Sequence, residues 1–155
     1  MKRCISFLFY FLLFVLFSPG GNLATAGCLT HLQSVVKGES TVLFSWQIQS
    51  DLHNQWQSAW QMQVAGSPEN FLGTGNLIWD SGKVNSAQSS LVHAEGLQVS
   101  SARTYYWRVR IWNGNNEASV WSEPSVFHTG LFAESDWQGA RWIGYEDLPA
   151  AKRMV

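Results

Sequence analysis

Along much of the chain beyond residue 40, large apolar residues recur at every second position. Val42, Phe44, Trp46 and Ile48 are interleaved with Leu43, Ser45, Gln47 and Gln49. Period two is the repeat of a strand, whose side chains point alternately to its two faces, so this segment predicts a half-buried strand with an apolar inner face. Ser50 to Asn54 is polar and reads as a loop, and Trp60, Met62 and Val64 start a second strand that Gly66-Ser67-Pro68 ends. A loop with Gly73 and Gly75 leads to Leu77-Ile78-Trp79, and Asp80-Ser81-Gly82 is a turn signal. A short strand is expected over Ser89 to Ala94. The strongest alternation puts Tyr105, Trp107, Val109 and Ile111 on one face and Tyr106, Arg108, Arg110 and Trp112 on the other. Asn113-Gly114-Asn115-Asn116 reads as a hairpin loop tolerant of left-handed backbone. Val120 to Leu131 supplies the last strand, with Pro124 near its start, where a missing donor costs least. Six strands are thus drawn, a seventh ahead of Val42 is left open, and no amphipathic helix is found. The expected class is all-β, an immunoglobulin-like antiparallel β-sandwich.

The first residues follow a different pattern. Lys2 and Arg3 precede an unbroken apolar run, Phe7 to Phe17, which Ser18-Pro19-Gly20-Gly21 stops before Ala24-Thr25-Ala26. Positive start, short apolar core and small-x-small site are the parts of a secretory signal peptide. At about 1.5 Å per residue the run is too short for a bilayer core of about 30 Å. Residues 1–26 are therefore expected to be a leader, and the chain an exported one, periplasmic, secreted or on the outer surface of a bacterium. Cys28 is then the one cysteine left after the leader and its Cys4 are removed. Ala26-Gly27-Cys28 resembles the end of a bacterial lipobox, although Thr25 stands where lipoboxes usually carry Leu. Two readings stay open: cleavage after Ala26, and acylation of Cys28, the latter being the only route to membrane attachment that the sequence offers.

Composition narrows the class. The chain has 155 residues, 14% charged and 14% aromatic, with a formal net charge of -1. No basic stripe marks a nucleic-acid binder. So few charged and so many aromatic residues exclude disorder and coiled coil. Five of the nine Phe lie in the leader, whereas all nine Trp follow it.

Further motifs carry a family resemblance. The segment from Val99 to Ile111 resembles the E–F corner and F strand of fibronectin type III domains, with Val99 six positions before a corner tyrosine, Tyr105. Trp121-Ser122-Glu123-Pro124-Ser125-Val126-Phe127-His128-Thr129 is similar to their G strand, and Trp46 stands where they bury a strand-B tryptophan. A narrower resemblance joins Ser45 to Asp51, Gln57 to Ala65, Leu77 to Val84, Tyr105 to Trp112, Trp121 to Pro124, and Trp137 through Arg141-Trp142-Ile143-Gly144. In this order they resemble the N-terminal region of bacterial α-L-rhamnosidases, large exported glycoside hydrolases. The resemblance implies a fibronectin-like first module over 27–131, then over 132–155 a linker and the start of a truncated second β-sandwich domain. The segment ahead of Val42 departs from the family pattern in lacking an Asn-Pro-Leu-Gly type stretch. Catalysis in that family resembles an inverting scheme with paired carboxyl groups. Those groups belong to a helical barrel far beyond this chain, so no catalytic residue is carried over and the chain alone is expected to be inactive.

Candidate chemistry is sparse. His31, His53, His93 and His128 lack ligand spacing, so neither metal nor cofactor is expected. Glu134 and Asp136 read as a solvated linker rather than an acid–base pair. Tryptophans are the stronger signal. Trp46, Trp60 and Trp107 fall on inward positions and read as core. Trp112 and Trp121 lie outward, either as sugar platforms or in a ladder in which Trp121 stacks on Arg108 or Arg110. Trp56, in a polar loop, is the best candidate for an exposed sugar or interdomain contact. The expected role is a non-catalytic accessory module of an exported rhamnosidase-like hydrolase, a truncated product. Its partners would be that enzyme's following domains and rhamnose-containing glycans. The alternative is a stand-alone cell-surface fibronectin-type binding or adhesion module.

Overall fold

The computed structural model describes residues 28–38, 41–50, 56–73 and 75–141. The expected leader, His53 and Trp142 lie outside these residues. Among the described residues seven strands form two antiparallel sheets. One has the order β1-β2-β5, with β1 Cys28–Lys37, β2 Thr41–Gln49 and β5 Val92–His93. The other has the order β4-β3-β6-β7, with β4 Leu77–Asp80, β3 Gln57–Ala65, β6 Thr104–Asn113 and β7 Ser125–His128.

The inner faces meet as the alternation predicts. Val42, Phe44 and Trp46 from β2 face Trp60, Met62 and Val64 from β3 and Tyr105, Trp107, Val109 and Ile111 from β6, all buried. Ring geometry interlocks the sheets: Phe44 lies 4.6 Å from Trp107 and 5.7 Å from Phe127, which stacks on Tyr105 at 5.1 Å. Burial of several such rings, each with about 150–250 Å² of surface, is the main force holding the layers together. At the crossover between sheets, the Tyr105 hydroxyl accepts a hydrogen bond from the Ser100 backbone N–H at 2.7 Å. Val99 packs against the core on the same corner. The phenol thereby fixes the loop that carries the chain into β6.

One open reading closes and two local expectations need correction. The open seventh strand is real: β1 pairs with β2 along most of its length. Its alternation is masked by a bulge between Thr30 and Gln33, where His31 has a φ of 51°. The strand expected over Ser89 to Ala94 is cut to Val92–His93, because Leu91 adopts a φ of 51° just before it. The last strand starts only at Ser125. Ahead of it, side-chain hydroxyls take over the pairing with β6: Ser119 Oγ accepts from the Ile111 N–H at 3.1 Å and Ser122 Oγ from the Val109 N–H at 3.0 Å. These bonds satisfy the β6 edge without a regular strand.

The chain leaves the sandwich through Thr129, whose backbone N–H donates to Arg103 O at 2.9 Å. A 3₁₀ turn follows over Glu134–Trp137. Cys28, read from the sequence as a lone thiol, opens β1 half-buried, and no described cysteine is a free thiol.

Candidate functional site

The register of the four-stranded sheet assembles one polar and aromatic array on its outer face. Gln61 pairs with Arg110 and Gln63 with Arg108 across β3 and β6, while Gln63 pairs with Asp80 across β3 and β4. Each amide therefore sits between a guanidinium and a carboxylate. Gln63 Oε1 accepts from Arg108 Nε and a terminal nitrogen at 2.9 and 2.8 Å, and its amide nitrogen donates to Asp80 Oδ2 at 2.7 Å. Gln61 repeats the pattern, accepting from Arg110 at 3.0 and 2.7 Å and donating to Asp80 Oδ1 at 2.7 Å. The Gly82 N–H also donates to Asp80 Oδ1 at 2.8 Å. Burial alone would raise the Asp80 pKa. The three hydrogen bonds and the charge of Arg110 outweigh it and hold the carboxyl below its ordinary value. An ionised, fully donated-to carboxylate has no proton to give and little basicity to offer.

Above this network the cations stack on rings. Arg108 lies over Phe71 at 4.6 Å and over Trp121 at 4.4 Å. Arg110 lies over Trp121 at 4.6 Å and over Trp112 at 5.0 Å, and Lys83 over Trp112 at 4.7 Å. Burial, then the neighbouring Arg110 charge, lowers the Arg108 pKa, while Asp80 acts the other way. Ring faces attract cations through their quadrupole, so the sequence Phe71, Arg108, Trp121, Arg110, Trp112, Lys83 is a continuous alternation of π face and charge. The outward Trp112 and Trp121 thus stand in contact with cations. Phe71, Lys83, Gln61, Gln63 and Asp80 were missed by sequence reasoning. Their types carry no signal for the ladder; only the strand register brings them to it.

Trp56 is separate from the ladder and is 63% exposed. Trp46, by contrast, is buried, and its indole N–H donates at 2.9 Å to Gln57 Oε1, whose amide in turn donates to Ser86 O and Gln88 O. Trp107 is fully buried. A groove of about 520 Å³ opens beside β4, walled by Trp60, Trp79, Gln88, His93 and Glu95. The Trp79 indole ties its two rims by donating to Glu95 O at 3.1 Å.

Elsewhere the expected candidates are scattered. His31 and His93 lie on the β1-β2-β5 sheet, and His128 lies on β7, where its Nδ1 meets Thr104 Oγ1 at 3.0 Å. Among the described residues no group of three His, Cys, Asp or Glu side chains is placed to hold a metal ion. Asp136 is occupied in its own turn: its carboxylate accepts from the Ala133 N–H at 2.9 Å and the Phe132 N–H at 3.1 Å. The backbone bond from Ala133, then Ser101, lowers its pKa. Among the described residues no helix is long and apolar enough to cross a membrane.

Known proteins share this sandwich. Residues 28–133 match the model of the family described as "Rha78A-like, N-terminal immunoglobulin domain". An alpha-L-rhamnosidase of Formosa agariphila is 42% identical over 101 residues, covering 65% of this chain and 11% of that protein. One from an Alteromonas species is 40% identical over 114 residues, 73% of this chain and 12% of that protein. The crystal structure of the Streptomyces avermitilis alpha-L-rhamnosidase complexed with L-rhamnose superposes with a TM-score of 0.64 at 34% identity, over 71% of this chain and 11% of that one. The alpha-L-rhamnosidase from Dictyoglumus thermophilum gives a TM-score of 0.64 at 28% identity, over 72% of this chain and 13% of that one. The chain thus spans about a tenth of the length of the curated relatives it matches. Over residues 28–133 it belongs to the family of Rha78A-like, N-terminal immunoglobulin domains.

Proposed function

We propose that this chain is a non-catalytic accessory module of an exported rhamnosidase-like glycoside hydrolase, giving rigid support to the domains that follow it. The observation that carries the reading is the family match over residues 28–133, to a domain that makes up about a tenth of much longer alpha-L-rhamnosidases. Site chemistry supports it. The Asp80, Arg108 and Arg110 groups on the outer face of the four-stranded sheet are spent on one another's amide partners and on aromatic rings, which stiffens the sheet and leaves Asp80 without a catalytic task.

The same proposal covers destination. The leader exports the chain, and processing occurs after Ala26. Intact mass of the exported product tests this site directly, and a mass that starts at another residue would overturn it.

A domain exchange tests the accessory role. The N-terminal immunoglobulin domain of the Streptomyces avermitilis enzyme is replaced by residues 28–133 of this chain, and a second variant lacks the domain. The exchanged enzyme is expected to unfold close to the parent's temperature and to keep its turnover. An exchanged enzyme as unstable as the one lacking the domain would overturn the proposal.

A further inference from the structure

We propose that Trp56 is a fixed stacking platform for a neutral pyranose, with the Asn113–Asn116 turn as its polar flank. The register places it: Gln57 pairs with Asn113, so the next residue outward, Trp56, meets Gly114. The indole lies flat against that glycine's backbone. A Cβ built on Gly114 would sit 2.3 Å from Trp56 Cζ2, 2.5 Å from Cε2 and 2.9 Å from Nε1. Those separations are far inside van der Waals contact, so only glycine leaves the space. Gly114 is here for room and not for a left-handed backbone, since its φ is outside the range that favours glycine.

Two further features hold the turn on which the ring rests. Ser58 Oγ donates to Asn113 O at 2.6 Å, bonding β3 to the turn one step from the indole. The turn itself is locked, because Asn113 Oδ1 accepts the N–H groups of Asn115 and Glu117, both at 3.0 Å. An indole held by backbone on one side and 63% exposed is a large apolar area presented to solvent in one orientation. Immobilisation removes the ordering cost that a free side chain would pay on binding.

The neighbourhood selects the occupant. Beyond Gly114 the turn exposes the amides Asn115 and Asn116 and then Glu117, whose carboxylate accepts from Asn113 Nδ2 at 2.8 Å. Amides donate and accept without charge. Asn116 Oδ1 is bonded by Lys83 Nζ, which holds that side chain at the ladder's end of the turn. A flat apolar face next to amides, with the Lys83 ammonium and the Glu117 carboxylate each already bonded to an asparagine, matches a pyranose, which offers a C–H face to the ring and hydroxyls to the amides. An apolar protein partner would find polar groups where it needs apolar ones.

This inference rests on the Trp56–Gly114 geometry and goes beyond the accessory role. Absence of sugar binding would leave that role standing, and an unstable domain exchange would leave this platform standing. The test is titration of the purified 155-residue chain with L-rhamnose and with D-galactose, followed by the indole N–H signals in two-dimensional NMR. A saturable shift of the Trp56 signal with at least one sugar is expected at millimolar concentrations. Trp56→Ala is expected to weaken binding at least ~10-fold, a factor equal to ~1.4 kcal/mol. Gly114→Ala keeps the indole but displaces it, and is expected to weaken binding similarly. Trp56→Tyr, with a smaller ring at the same place, should retain part of the affinity and checks that the fold survives. No shift at Trp56 with either sugar overturns the proposal. So does a sugar-dependent shift confined to Trp112, Trp121 or the Trp60–Trp79 groove. A Trp56 shift that follows protein concentration without sugar assigns the surface to a second copy and also overturns it.

Discussion

On its inner face β6 presents Tyr105, Trp107, Val109 and Ile111 to the opposite sheet. On its outer face it presents Tyr106, Arg108, Arg110 and Trp112 to side chains of its own sheet and of the loop carrying Trp121. Both faces carry groups of similar bulk. The inner set is sealed, with Trp107 and Val109 at 0% exposure, and its energy comes from area removed from water. The outer set stays half-buried and gains from directional contacts: guanidiniums over rings and amides bridging to one carboxylate. Apolar burial tolerates rearrangement but not lost volume. Directional arrays tolerate lost volume at a rim but not lost geometry.

Substitutions on the two faces should therefore differ in kind. The largest effect is expected for Trp107→Ala, which leaves a cavity beside Phe44 and should cost about 3–5 kcal/mol in urea unfolding. Tyr105→Phe keeps the stacked ring and removes only the bond to the Ser100 N–H, so about 1 kcal/mol is expected, together with faster amide exchange at Ser100. The outer face calls for a double-mutant cycle. Arg110→Met and Trp121→Leu should each be mild and show a coupling of about 0.5–1 kcal/mol. A coupling of zero would demote the ladder to coincidental proximity. The smallest effect concerns acid. Because the folded Asp80 pKa lies below its unfolded value of about 3.9, its contribution is complete above that value. It is lost as pH falls through the folded value. The stability difference between the native chain and Asp80→Asn should accordingly be present at neutral pH and shrink as pH falls below the unfolded value.

The same contrast explains what the sequence disclosed. Inner faces were legible, because a buried strand writes its own periodicity: Val42-Phe44-Trp46 and Tyr105-Trp107-Val109-Ile111 needed no partner to be recognised. The corner tyrosine was legible as a spacing, Val99 to Tyr105. β1 was not, because the bulge at His31 shifts its alternation midway, and the stretch before β7 was not, because serine hydroxyls stand in for backbone there. The ladder was half legible. Arg108, Arg110, Trp112 and Trp121 were visible as outward bulk, while Gln61, Gln63, Asp80, Lys83 and Phe71 join them only through strand register and turn placement. The seating of Trp56 on Gly114 is of the same kind: two residues 58 positions apart in the sequence become neighbours only through the pairing of Gln57 with Asn113.

The central claim is that all this bulk and charge builds and braces a module without performing chemistry. The most direct measurement is release of aryl alcohol from an aryl α-L-rhamnoside by the purified 155-residue chain, followed through many hours at high protein concentration. The account predicts a rate equal to that of buffer alone. Turnover that persists through purification and is abolished by Asp80→Asn or by another single substitution in the sandwich would contradict it.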